Sequence, residues 1–513
     1  MSTLGHVRRV RLQSSYRVFC ATTSTRVQQL AASSRRLPIR LAHQRAPRRC
    51  YSAQPRLAVK DNIASLGDTT TCDSSILAGT AIPFDATIVA QLRSRGFSVV
   101  GKMGMDEFGM GTHSTTGASG IVHNNDPLRD YSAGGSSGGS AVSVSKGEAD
   151  IALGTDTGGS VRMPAAYTGT VGFKPSYGML SRFGVVPYAN SLDTVGLLAK
   201  SVDRIRDVLI GTKLFAEHDH NDPTSLPHSV RQRCAAQRTC YDGQALSTLK
   251  GITFGIPIEY NVEELEPSIR QAWTNAAKTV ESMGARVVPV SLPTTKMALS
   301  AYYVIAPAEA ASNLAKYDGI RYGQRNKDTE TDAPDGVLYA KTRASGFGKE
   351  VKRRILLGSY SLSSEAVDNY FIQAQKVRQL VRSDFDRVFK LSNPLKDEQP
   401  FDLSDMDESV LLENKLGPHQ VDFLLCPTAP TTPPLLDDVL HQTPLDSYMN
   451  DVFTVPASLA GLPAISVPMS ISPSSRRDGQ PNIDFGGLQV IGQYWDDARL
   501  LSVAELVAGS INS

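Results

Sequence analysis

Ile151-Ala152-Leu153-Gly154-Thr155-Asp156-Thr157-Gly158-Gly159-Ser160 passes from three apolar residues into a glycine-rich loop that ends on serine. A short aliphatic run closed by a turn signal predicts a buried strand, here Ile151–Leu153, with Gly154–Ser160 as the loop that leaves it. A similar loop lies upstream: Gly134-Gly135-Ser136-Ser137-Gly138-Gly139-Ser140 leads into a predicted helix over Ala141–Lys146. Further back, Leu57-Ala58-Val59 reads as the end of a strand and delivers Lys60-Asp61-Asn62.

The same pattern continues outward. Ala86–Arg95, Ser268–Met283 and Asp497–Val507 read as helices. Ser98–Lys102, Ile252–Ile256, Arg286–Val290, Val421–Cys426, Ala464–Val467 and Leu488–Ile491 read as strands. Strands alternating with helices predict an α/β architecture around a mixed, largely buried sheet. The stretches 216–244 and 394–418 are polar and weakly periodic, and read as surface insertions.

The 513 residues are 41% hydrophobic and 20% charged, an ordinary globular composition. No apolar run approaches the ~18 residues of a membrane span. The net charge of +2 hides an asymmetry: residues 1–51 hold eleven arginines and no lysine, aspartate or glutamate. That Arg-rich, Ser-rich, acid-free composition is expected of a mitochondrial presequence, which must be cationic to follow the membrane potential inward. Arg49-Cys50-Tyr51-Ser52 resembles a matrix-peptidase site, which places the mature end near Ser52. A basic RNA-binding arm is the competing reading, but such arms usually mix in lysine and glycine. The remainder, 42 basic against 51 acidic residues, is not by its charge a nucleic-acid surface.

The six cysteines show no CxxC pair or His/Cys cluster, so neither structural disulfides nor zinc are expected. His218 and His220 lie among acidic residues and are read as part of a solvated loop rather than a metal site.

A glycine loop before a helix can cradle phosphate, but neither loop has the Gly-Lys-Ser/Thr ending that the reading requires. Flexible linkers are excluded by the apolar elements on both sides. Acyl transfer fits better. A serine nucleophile needs a base and oxyanion donors, and glycines let successive N–H groups converge before Ser160. His113 and His123 sit in no recognisable triad context and are read as structural or surface groups. Lysine is the remaining base, and it acts only if burial or a nearby cation holds it neutral. Lys60 follows an apolar strand, but spacing alone makes it no more than a candidate.

These blocks, with Arg162-Met163-Pro164-Ala165-Ala166, resemble the amidase signature family from about Leu57 to Val507. The resemblance implies one large mixed sheet covered by helices on both faces. It also implies a triad of lysine, a relay serine on a cis peptide, and a second serine 24 residues on. Those positions fall on Lys60, Ser136 and Ser160, with Thr157, Gly158, Gly159 and Ser160 around the oxyanion. Met105–Gly111, Tyr317–Gly323 and Gly346–Arg354 look like blocks of the glutaminase subunits of aspartyl/glutamyl-tRNA amidotransferases.

That narrower resemblance implies a glutaminase subunit with no cofactor of its own, working in the mitochondrial matrix. Ammonia would pass to a partner B subunit that uses ATP and magnesium, beside a small additional subunit. Glu-tRNA(Gln) would be bound mainly through the partner, and no membrane is involved. The glutamine ligands it implies are Arg354, with Arg353 adjacent, Asp451, and Tyr302, with Tyr303 as competitor. A free-standing amidase for a small or lipid amide is the alternative, and a catalytically silent scaffold a third reading. In one respect the chain departs from the family, whose members usually carry several dozen helical residues before the lysine block. Only Ser52–Val59 would stand there after cleavage.

Overall fold

Ten strands form one mixed sheet in the order β2-β1-β3-β5-β4-β9-β10-β8-β6-β7. They are β1 Arg56–Lys60, β2 Ser98–Met103, β3 Ile151–Asp156, β4 Val171–Lys174, β5 Thr194–Ala199, β6 Thr253–Pro257, β7 Arg286–Val290, β8 Phe423–Pro427, β9 Ala464–Ser470 and β10 Phe485–Ile491. The computed structural model describes residues 54–125, 130–326, 338–396, 420–471 and 485–511. The basic segment 1–51 and nearly all of 394–418 lie outside the described residues. Parallel pairs β2-β1-β3 and β8-β6-β7 flank an antiparallel centre, so the sheet is mixed.

β3 runs through Gly154, Thr155 and Asp156, three residues longer than its aliphatic run predicts, because β5 pairs with it along its full length. The loop that carries Ser160 is correspondingly shorter. β3 and β5 are buried at every position, which explains why neither alternates in polarity. The Pro267–Ser282 helix has proline in its first turn and buries Ile269, Ala272, Trp273, Ala276 and Val280 at helical spacing.

Two further helices, Ala298–Leu314 and Lys349–Ser361, build the wall of the site, and Phe371–Val388 packs against the first of them. The first two pack so closely that a Cβ on Gly358 would collide with the Pro307 carbonyl. Glycine at 358 therefore lets the helix bearing Arg354 lie directly on the helix bearing Tyr302 and Tyr303.

The polar stretch 216–244 is not structureless. It holds the helix His228–Ala236, whose buried Arg231 donates to the carbonyls of Gly178, Met179, Phe215 and Leu226. Asp219 and Asp222 in the same stretch are buried acceptors for Thr87, Ser181 and Arg182 rather than solvated groups. Periodicity misses this because the burial rests on single polar anchors.

Candidate active site

Lys60 is the last residue of β1 and Asp156 the last of β3. Those strands are parallel neighbours, so their following loops leave the sheet at one edge. Lys60 Nζ lies 2.7 Å from Ser136 Oγ, 2.8 Å from Ser137 Oγ and 3.4 Å from the Thr155 carbonyl. The lysine is fully buried. Burial brings its amine down to about 7, against the opposing pull of Asp106, Asp156 and Asp193. A neutral amine has two N–H donors and one lone pair. Ser137 Oγ and Thr155 O can take the two donors, which leaves the lone pair for the Ser136 hydroxyl.

The Ser136 loop turns through Gly134 and Gly135, with φ of 72° and 49°. Gly135 N donates to Thr112 O at 2.7 Å, while Ser114 Oγ donates to Gly135 O and accepts from Gly138 N. No peptide bond among the described residues is cis, so the cis relay serine expected from the resemblance is absent here. The turn through the two glycines already brings Ser136 Oγ to Lys60.

Ser160 belongs to the neighbouring loop, and its carbonyl accepts from Ser137 N at 3.1 Å, tying the two loops together. It is 9% exposed, whereas Lys60 and Ser136 are fully enclosed, so it is the most accessible of the three triad candidates. Gly159 has φ of 150°, and a Cβ there would strike Thr454 Oγ1. Among the described residues, the N–H groups of Thr157, Gly158, Gly159 and Ser160 meet no backbone or side-chain acceptor. They are thus available to an incoming oxygen.

Beneath the loop, Arg162 donates to both Asp156 oxygens, to Thr454 O at 2.9 Å and to Gln489 Oε1 at 2.7 Å. The guanidinium holds Asp156 below the ordinary carboxylate range despite burial. Such a satisfied buried pair fixes geometry more than it adds stability.

His113 does not reach the serines. Its Nδ1 is 2.9 Å from Ser132 Oγ and its Nε2 accepts from Asn450 Nδ2 at 3.0 Å. Burial lowers it to about 4, so the ring is neutral. His123 pairs at the surface with Asp130.

Of the three glutamine ligands implied by resemblance and their two alternates, Tyr302, Tyr303, Arg354 and Asp451 converge beside this loop. Tyr302 OH donates to Thr157 Oγ1 at 3.2 Å, and its ring covers Gly158. Tyr303 OH donates to Asp451 Oδ2 at 2.9 Å. The two tyrosines therefore occupy adjacent places in one wall. Arg354 is buried, whereas the Arg353 side chain is 43% exposed and pairs with Glu350. Arg354 donates to Glu350 Oε1 and to Tyr188 OH, both at 2.8 Å, and lies over the rings of Tyr188, Tyr303 and Tyr448. Burial opposes its charge, but Tyr188, Tyr303 and Glu350 hold it charged. Asp451 is pushed up to about 7 by burial.

Sequence reasoning missed Ser137, Tyr188, Glu350 and Tyr448. Local signals existed for Ser137, next to Ser136 in the glycine loop, and for Glu350, one helical turn before Arg354. A cleft lined by Thr112, Lys349, Arg353, Gln442 and Tyr448 leads in towards Arg354.

The mixed sheet sets a buried lysine against the serines of one glycine loop and ties the Ser160 loop beside it, a framework shared with amidase-type hydrolases. The chain belongs to the amidase family, whose sequence model matches residues 56–501. It is 61% identical over 464 residues to the mitochondrial glutamyl-tRNA(Gln) amidotransferase A subunit of Podospora anserina, covering 89% of this chain and 90% of that one. It is 52% identical over 458 residues to the same-named protein of Emericella nidulans, covering 88% of each. The crystal structure of the glutamyl-tRNA(Gln) amidotransferase A subunit from Thermotoga maritima superposes with a TM-score of 0.64 at 36% identity, covering 87% of this chain and 81% of that one.

Proposed function

We propose that this chain is the glutamine-hydrolysing component of a tRNA-dependent amidotransferase in the mitochondrial matrix. In this reading Ser160 Oγ attacks the side-chain amide carbon of glutamine, and the N–H groups of Thr157–Ser160 receive the oxyanion. Ser136 takes the proton from Ser160 and gives its own to neutral Lys60. The proton returns through Ser136 to the leaving nitrogen, so ammonia departs and a glutamyl ester stays on Ser160. Water, deprotonated by the same relay, then releases glutamate.

The observation that carries the choice of glutamine is the pairing of Arg354 and Asp451 around Tyr303, beside the Ser160 loop. A free α-amino acid presents a carboxylate and an ammonium together, and a site for it needs both charges. A bound ammonium would draw Asp451 back to its anion. A simple amide presents neither charge and would draw nothing from Arg354 or Asp451, which disfavours a free-standing amidase.

Ammonia is the useful product only if a partner consumes it. The B subunit is assigned that step, with ATP, magnesium and Glu-tRNA(Gln), and a small additional subunit completes the assembly. Residues 1–51 are read as the matrix-targeting presequence, ahead of one amidase domain over 52–513. The test is to isolate the endogenous complex from mitochondria and assay glutamine-dependent conversion of Glu-tRNA(Gln) to Gln-tRNA(Gln). A chain that purifies without partners and hydrolyses simple amides as fast as glutamine would contradict this reading.

A further inference from the structure

The block Met105–Gly111 supplies none of the groups in the proposed mechanism, yet it lies between its two halves. On one side Gly109 lies against Ser136, where a Cβ would stand 3.7 Å from its Oγ. Next to it, Phe108 N donates to Cys72 O at 3.0 Å, and Cys72 N donates to Asp61 O, one residue beyond Lys60. On the other side Glu107, 4% exposed, sends its carboxylate away from the serines. One oxygen accepts from Ser74 Oγ and the other from Gly348 N at 2.7 Å. Gly348 is the N-cap residue of the helix Lys349–Ser361, which carries Glu350 and Arg354. That helix has no side-chain cap of its own. Phe108 adds an apolar seam against Phe347 and Tyr317.

We infer that Glu107 is a positioning residue for glutamine: it anchors the first turn of the Arg354 helix to the loops that hold Lys60 and Ser136, and so sets the span between nucleophile and carboxylate clamp. The far end of the helix is located by its contact with Ala298–Leu314, where Gly358 sits on the Pro307 carbonyl. Glu107 holds the opposite end, the first turn that carries Glu350 and leads to Arg354. Removing the carboxylate leaves Gly348 N–H and Ser74 Oγ without their shared acceptor, and Arg354 loses register with Asp451. Bond making at Ser160 is untouched, because neither serine nor Lys60 bonds to Glu107. Glutamine preserves the function, since its carbonyl can accept from Gly348 N while its amide donates to Ser74 Oγ.

This inference rests on the proposed glutaminase reading, and the test separates the two. In the assembled complex, Glu107→Ala should raise KM for glutamine roughly five- to tenfold, the worth of one buried hydrogen bond. It should leave kcat within about twofold. Glu107→Gln should restore KM. The rate at which phenylmethanesulfonyl fluoride, which lacks both α-groups of glutamine, labels Ser160 should be the same in all three proteins. If Glu107→Ala fails to assemble, Ser74→Ala carries the test, with a smaller rise in KM and unchanged labelling. An unchanged KM with label on Ser160 overturns the inference alone. So does a rise in KM matched by an equal loss of labelling rate, which would mark Glu107 as merely structural. Label on another residue in the unaltered enzyme overturns the glutaminase reading, and the inference with it.

Discussion

Sulfonylation of Ser160 by phenylmethanesulfonyl fluoride should run at a constant rate from about pH 9 down to about pH 7, then fall about tenfold per pH unit. The limb reports Lys60, which must be neutral to accept a proton through Ser136. Its amine is brought from 10.5 to about 7 by burial, so the base form is lost as pH falls through 7. At pH 8 about nine-tenths of Lys60 is neutral, against about 0.3% for an unburied lysine. Burial therefore contributes about 300-fold at that pH. The probe has no α-ammonium group, so Asp451, also near 7, drops out of its profile. With glutamine both groups titrate, and kcat/KM should fall more steeply below pH 7 than the probe rate does. Lys60→Arg keeps the charge but never sheds it, and should lower the rate at pH 8 by at least about three orders of magnitude. The assay is inactivation kinetics across the pH range, with the labelled residue identified by mass spectrometry. A rate that does not change between pH 6 and 8, or a limb near 10, would refute the neutral-lysine argument.

Three other outcomes follow from the same geometry. Arg354→Ala should weaken glutamine binding by roughly 1.5–3 kcal/mol and leave ammonia-dependent amidation by the assembled complex far less affected; equal losses would make Arg354 structural. Lys60→Met should change how stability depends on pH. The folded amine sits below its unfolded value, so the unfolded chain binds the extra proton between about 7 and 10.5. Wild-type stability, measured by denaturant unfolding, should rise relative to the variant by roughly 1.4 kcal/mol per pH unit across that window, and parallel curves would contradict it. The endogenous protein should begin near Ser52, and an intact Met1 end on a cytosolic pool would defeat the presequence reading.

The sequence made the site legible where chemistry is local. A strand that ends on Lys60 and two glycine loops that end on or near serine can be read residue by residue, and their resemblance to a family joins them. The extent of β3 was not legible, because Gly154, Thr155 and Asp156 become strand only through pairing with β5. β4 and β5 were missed for a related reason: Val171–Lys174 is four residues long, and Thr194–Ala199 is buried throughout without alternation. The helix Ala298–Leu314 carries apolar residues on most of its faces and Pro307 in its middle, so no stripe announces it. Yet it fixes both tyrosines. Glu350 stands one helical turn before Arg354, a spacing that does encode their pairing, but Tyr188 and Tyr448 arrive only after the chain folds: Tyr188 contacts Arg354 across 166 positions and Tyr448 meets Glu350 across 98. No spacing encodes those meetings. The choice between Arg353 and Arg354 likewise depends on which side of one helix faces inward.

The central claim is that Ser160 carries the glutamyl group. Incubating the assembled complex with a glutamine analogue bearing an electrophilic carbon in place of the side-chain amide, then sequencing the adduct by mass spectrometry, tests it directly. The account predicts a single label on Ser160, none on Ser136 or Ser137, and none in Ser160→Ala, which should also lose glutamine hydrolysis. Label on any other residue, or a Ser160→Ala protein that still hydrolyses glutamine, would contradict it.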